Sequence, residues 1–162
     1  MIQKQKNIII DGCEIKKGFT LIEILVVIGI IAVLAAVILV AINPARQFKL
    51  ARDSQRISNI TAILNAIGQN LAENKGMFIC NGSKLDIPTV STIIKSGEGG
   101  FDLAPCVVPT YISSLPFDPS ASGAKFVINS EYDTEYYMYQ DTLGRIIISA
   151  NGEITQNLSV TR

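Results

Sequence analysis

The sequence predicts an α+β protein: a long N-terminal helix whose first half is apolar enough to cross a membrane, and whose second half packs on a C-terminal antiparallel sheet. Three observations predict it. Of the 24 residues 19–42, only Thr20, Glu23 and Gly29 fall outside the Ala, Val, Ile, Leu, Met and Phe set. Ile57, Ile60, Leu64, Ile67 and Leu71 then step by three and four, which places them on one helical face. Short runs of β-branched and aromatic residues fill the last third, separated by turn residues.

Composition sets the outer bounds. The chain has 162 residues and is 48% apolar, and removing the apolar block leaves the ordinary composition of one modest soluble domain. Lys and Arg number 14, as do Asp and Glu, so no surplus of cations is available to neutralise phosphates, which argues against a nucleic-acid binder. Histidine is absent. That excludes Ser-His-Asp and Cys-His catalysis and the usual zinc enzymes, each of which needs an imidazole. The sequence offers no catalytic cluster, no cofactor motif and no phosphate-binding glycine loop, so an enzyme is not expected.

Taken in order, residues 1–18 are basic, with Lys4, Lys6, Lys16 and Lys17 against Asp11 and Glu14. Basic residues at this end favour a cytoplasmic location for it, but Arg46, Lys49, Arg52 and Arg56 follow the block with only Asp53 against them, so charge counting alone does not choose a side. Residues 19–42 would reach about 36 Å as a helix, against a hydrocarbon core of about 30 Å. A secretory signal peptide has a shorter apolar region, about 7–15 residues, so a secreted, cleaved protein fits less well. Glu23 stands out inside this block. A carboxylate there either reaches the interface, protonated or solvated, or has a partner.

Asn43-Pro44 ends the apolar block. Proline in a helix interior costs roughly 3 kcal/mol, whereas Asn before Pro can cap a new helix, so a kink or short break is predicted near residues 42–44. Residues 43–75 read as the amphipathic continuation, stopping near Asn74-Lys75-Gly76. Lys49, Arg52 and Arg56 form a basic stripe on it, either a solvated face or a docking surface for acids of another subunit.

Residues 76–162 read as a globular head, beginning with a long loop region rich in Gly, Pro, Ser and Thr. Strands are predicted at Phe126-Val127-Ile128, residues 136–139, Ile146-Ile147-Ile148 and residues 158–160. Asp141-Thr142-Leu143-Gly144 and Asn151-Gly152 are the predicted turns. The face from Ile57 to Leu71 would cover this sheet. Asn81-Gly82-Ser83 matches a glycosylation sequon, a weak signal at three residues. Cys80 and Cys106 lie in the head and either pair or stay buried as thiols, while Cys13 lies in the basic leader.

The string Lys17-Gly18-Phe19-Thr20-Leu21-Ile22-Glu23 strongly resembles the type IV prepilin signature: a basic leader ending in Gly, then Phe, then a Glu four residues on within an apolar helix. The resemblance covers about the first third of the chain and implies a pilin fold. It implies that a prepilin peptidase cuts between Gly18 and Phe19 on the cytoplasmic side and methylates the new amine of Phe19. The head would then lie outside a single-pass anchor in the cytoplasmic membrane. It also implies a role for Glu23, whose carboxylate would pair with the Phe19 amine of a neighbouring copy, each making the other tolerable in apolar surroundings.

The expected function is therefore a structural subunit of a pilus-like filament, with the lipid bilayer, other copies of itself and related pilins, and a membrane assembly platform and motor as partners. A pseudopilin of type II secretion or a DNA-uptake pilin is the alternative. A membrane-anchored binding domain is the rival from another class. Familiar pilins carry helix-weakening Gly and Pro earlier in the apolar block, a spacing that Gly29 and Pro44 do not match. The principal pseudopilin of type II secretion binds calcium in its C-terminal loop. Asp118, Asp133, Glu135 and Asp141 offer oxygen ligands here, but their spacing matches no dedicated loop, so they read as solvated acids on turns and no metal is expected.

Overall fold

The computed structural model describes residues 18–162, so the leader through Lys17, including Cys13, lies outside the described residues. The chain divides into two compact units between Asn43 and Pro44. The first is helix α1, Leu21–Ile42, closed by Asn43 in the left-handed conformation at φ 41°. Asn tolerates that conformation better than most residues, and Pro44 then opens a new helix where its missing N–H costs nothing. The expected interruption thus has a specific form: two helices with Asn43 between them.

The second unit begins with α2, Pro44–Glu73. Its end is fixed by Lys75 and Gly76, both at positive φ, with the Gly76 N–H donating to the Leu71 carbonyl at 2.8 Å. That bond satisfies a carbonyl the helix leaves orphaned.

Strands β1 (Ile79–Cys80) and β2 (Ser83–Lys84) form a hairpin, followed by β3 (Thr92–Lys95), β4 (Gly100–Phe101) and the short helix α3 (Ala104–Val107). Then come β5 (Lys125–Ile128), β6 (Glu131–Gln140), β7 (Ile146–Ala150) and β8 (Leu158–Thr161). The main sheet runs β4-β3-β6-β7-β8, with β5 beside the first residues of β6. Its pairings are antiparallel except for β3 with β4.

Strand β6 is the spine. Tyr132, Thr134, Tyr136 and Met138 are buried on one face, the period-two alternation of a half-buried strand. Against that face lies α2, over β7 and β8. Ile60, Ile63, Ile67, Ile94, Met138 and Ile148 are fully buried in the resulting core.

Several elements differ from the sequence expectation. The segment after Gly76 is not simply loop, because β1 to β4 and α3 lie in it. Asn81-Gly82 forms the two-residue turn between β1 and β2, both residues at positive φ, and Asn-Gly is a strong hairpin signal that the sequon reading passed over. The strand expected at residues 136–139 is the second half of a ten-residue strand. Asn151-Gly152 is not a tight turn. It opens a loop over residues 151–157, in which a Cβ on Gly152 would collide with the Thr155 carbonyl.

Cys80 and Cys106 are bonded, joining the hairpin to α3. Closing a loop of this size contributes on the order of 3 kcal/mol. Beside them the buried Asn70 of α2 donates to the carbonyls of Ile79 (2.8 Å) and Cys106 (3.3 Å) and accepts from the Ile79 N–H (2.9 Å). One amide thus ties the helix to both halves of the disulfide-linked region.

Candidate functional site

Two arrangements carry the chemistry, one in each unit. At the start of α1, Thr20 is the N-cap, with extended backbone at φ −83°, ψ 152°. Its hydroxyl oxygen accepts from the Glu23 N–H at 3.3 Å, and Glu23 Oε2 accepts from both the Thr20 N–H and the Thr20 hydroxyl at 2.8 Å. This is a reciprocal capping box, which satisfies two orphan donors at the helix start. It holds the Glu23 carboxylate over the N-terminal turn, where the positive end of the helix dipole favours it. Gly18 and Phe19 precede the cap, with the Phe19 side chain 85% exposed, and Lys17 lies outside the described residues.

Beyond the cap, α1 is apolar on every side. Leu21–Leu39 is long and apolar enough to cross a membrane, and its large side chains, such as Val26, Ile31 and Leu39, stand half or more exposed. A helix without a polar face has to be covered by lipid or by other helices.

The second arrangement lies in the head around Arg56. Its guanidinium grips Asp118 as a fork, Nε to Oδ2 at 2.6 Å and Nη2 to Oδ1 at 2.9 Å. Nη2 also donates to Ser120 Oγ at 2.7 Å, while Nη1 reaches Asp53 Oδ1 at 2.8 Å and Glu153 Oε1 at 3.2 Å. Arg56 is only 3% exposed. Asp53 in turn accepts from the N–H groups of Glu153, Ile154 and Thr155, at 2.8, 2.9 and 3.2 Å. The Asp53 carboxylate therefore fastens the backbone of the loop over residues 151–157 to α2. Arg52, at the surface, adds two bonds to Glu153.

This network corrects two sequence readings. Arg56 is neither on a solvated face nor a docking cation, because the acids it meets belong to its own head. Nor is Asp118 a solvated turn acid, since it is buried beneath Arg56. The buried face of α2 runs through Asp53, Arg56, Ile60, Ile63, Ile67 and Asn70, whereas Ile57 is exposed. Asp53 and Arg56 continue the three-and-four spacing of the apolar stripe, a signal visible in the sequence but masked by their charge.

Asp133, Glu135 and Asp141 make no hydrogen bond to Arg56. Asp141 accepts from the Leu143 and Arg145 N–H groups within its turn, and Asp133 accepts from the Glu135 N–H. Burial pushes the Glu135 carboxyl up, helped by the neighbouring Asp133 and Asp118 charges. Among the described residues no group of three or more metal-ligating side chains gathers.

The electrostatics of the cluster give it a pH dependence. Burial alone would raise the Asp53 carboxyl, but hydrogen bonds from three backbone amides and from Arg56 outweigh it and lower it to about 2. Asp118 is lowered in the same way: burial opposes, and Arg56 with the amides of Ser120 and Ala121 prevails. Carboxyls depressed in the folded head take up protons more readily once it unfolds, so acid favours unfolding. The contribution is complete above the unfolded value of about 4 and is lost as pH falls toward about 2. Melting temperature is expected to stay level above about pH 5 and to drop steeply between about pH 4 and pH 2. In Asp53→Asn, less stable throughout, the drop should be shallower, and an equally steep drop would remove Asp53 from the account.

A family model for the prokaryotic N-terminal methylation motif matches residues 15–39. No curated protein and no solved structure matches the chain. The motif is of a structural, pilin-type kind and not that of an enzyme family. The matched residues contain Gly18, Phe19, the Thr20–Glu23 box and nearly all of the apolar helix. The chain thus carries the N-terminal methylation motif of the prepilin and pseudopilin family, on an apolar helix followed by a pilin-like α+β head.

Proposed function

We propose that the chain is a structural subunit of a type IV pilus-like filament. It is made as a membrane-anchored prepilin, cut after Gly18, methylated on Phe19, and assembled through packing of its apolar helices. One observation carries this reading: the methylation motif lies on a helix that is apolar all round, its single carboxylate held at the N-terminal turn. In the bilayer the lipid tails cover that helix, and in the filament the helices of neighbouring copies replace them.

The parts divide the work. Residues 1–18, with Lys17 at their end, are the leader that the prepilin peptidase removes on the cytoplasmic side. Residues 19–42 are the anchor and later the filament core. Residues 43–75 carry the head, and residues 76–162 complete it on the outer side of the membrane, with the Cys80–Cys106 bond holding its hairpin region. Glu23 pairs with the Phe19 amine of an adjacent subunit. Extraction from the bilayer needs work from a motor and platform.

Processing is tested by producing the precursor together with a prepilin peptidase and measuring intact mass. The parent chain should lose residues 1–18 and gain one methyl group at Phe19, and Gly18→Val should remain full length, because the added branch crowds the bond to be cut. A parent chain left whole would contradict the proposal.

A further inference from the structure

We propose that the first turns of α2, centred on Phe48 and Lys49, are an interfacial anchor that binds anionic phospholipid headgroups where the chain leaves the bilayer. The inference rests on the membrane-anchored reading above and adds a second lipid contact to it.

Although α2 begins at Pro44, residues 44–49 are all exposed. Phe48 is 65% exposed. An aromatic ring set in the open on a helix is ill matched to water, and helices that lie in the membrane interface bury Phe, Leu and Trp at the boundary of headgroups and acyl chains beside Lys and Arg.

Charge points the same way. Between Glu23 and Asp53 the sequence holds no acid and three cations, Arg46, Lys49 and Arg52. Arg52 is engaged by Glu153 of the head. Arg46 and Lys49 lie one helical turn apart and add positive charge to the exposed segment. Residue count sets the depth. The 22 residues of α1 amount to about 33 Å of helix, close to the roughly 30 Å of a hydrocarbon core. Residues just past Ile42 therefore emerge among the headgroups, and Phe48 follows only six residues later in the sequence. A segment of this composition at this depth suits a phosphate-bearing lipid surface, where each basic residue adds roughly fivefold to binding.

The chain contains no tryptophan, so Phe48→Trp makes the full-length protein its own reporter. The variant, with Leu34→Trp as a depth control in α1, is reconstituted into vesicles of phosphatidylcholine alone or mixed with phosphatidylglycerol, carrying quenchers at headgroup or deep acyl positions. The expected result for Phe48→Trp is blue-shifted indole emission, quenched more by the headgroup label than the deep one, and more pronounced with phosphatidylglycerol. Adding Lys49→Gln should cut the ratio of lipid-bound to water-exposed indole at position 48 roughly fivefold in the anionic vesicles.

A water-exposed indole at position 48, beside a deeply quenched one at position 34, would overturn the anchor while leaving the membrane helix standing. An indole at position 48 shielded from water yet quenched by neither label would place protein over it and also overturn the proposal, as would equal behaviour in the two vesicle types. Failure of the deep label to quench the Leu34→Trp control would instead sink the membrane reading, and the anchor with it.

Discussion

Glu23→Ala is expected to abolish filaments, or reduce them to a trace, while the head folds as before. The carboxylate has two separable duties. In the single chain it completes the capping box, accepting from the Thr20 N–H and hydroxyl at an exposed helix start, where Thr20 as the N-cap keeps its own bond to the backbone N–H of residue 23 when the Glu23 side chain is lost, so this duty is small. In the proposed filament it meets the Phe19 amine of a neighbour amid apolar helices, where an unpaired charge costs several kcal/mol. The second duty therefore dominates. Glu23→Gln separates the two, because its amide oxygen can still accept from Thr20 but carries no charge. If pairing governs assembly, Gln should fail almost as completely as Ala, with yield read from sheared filaments and head folding from circular dichroism. Full yield with Gln would reduce Glu23 to a helix cap.

Arg56→Ala should be the most damaging single change in the head. It leaves Asp118 and Asp53 buried without their cation, a loss on the order of 3–5 kcal/mol. For a head of this size that lowers melting by roughly 10 °C or more. Arg56→Lys should rescue little, since one ammonium cannot reproduce a fork that reaches Asp118 twice and Asp53, Ser120 and Glu153 besides. Arg52→Ala, removing a surface partner of the same Glu153, should lower melting far less, because water screens an exposed ion pair. Calorimetry on the three variants checks the ranking. An Arg52 effect equal to that of Arg56 would mean that burial is not what makes the cluster matter.

The sequence made the N-terminal third readable in detail, because an apolar run and a short motif are local signals. Asn43-Pro44 fixed the helix break, and Asn74-Lys75-Gly76 the stop. Strands β5, β7 and β8 were also visible, each a compact run of apolar or β-branched residues. Strands β1 to β4 were not, because two-residue pieces such as Gly100–Phe101 have no periodicity and form only when partners arrive from elsewhere in the chain. The Arg56 cluster was hidden for a different reason. Asp53, Asp118 and Glu153 are far apart in sequence, and charge biased the reading of the α2 face toward Ile57 and away from Arg56. Buried polar groups at helical spacing become recognisable only when the acids that satisfy them are in view.

If residues 19–42 are a processed filament core, the chain's terminus in the filament must be Phe19. Filaments sheared from the producing cells, and the membrane fraction beside them, are analysed by mass spectrometry for the peptide beginning at Phe19. An N-methylated Phe19 terminus is expected to be abundant in the sheared filaments. The same terminus confined to the envelope would move the chain to a pseudopilin or minor subunit, and a chain still bearing its leader in both fractions would contradict the filament reading altogether.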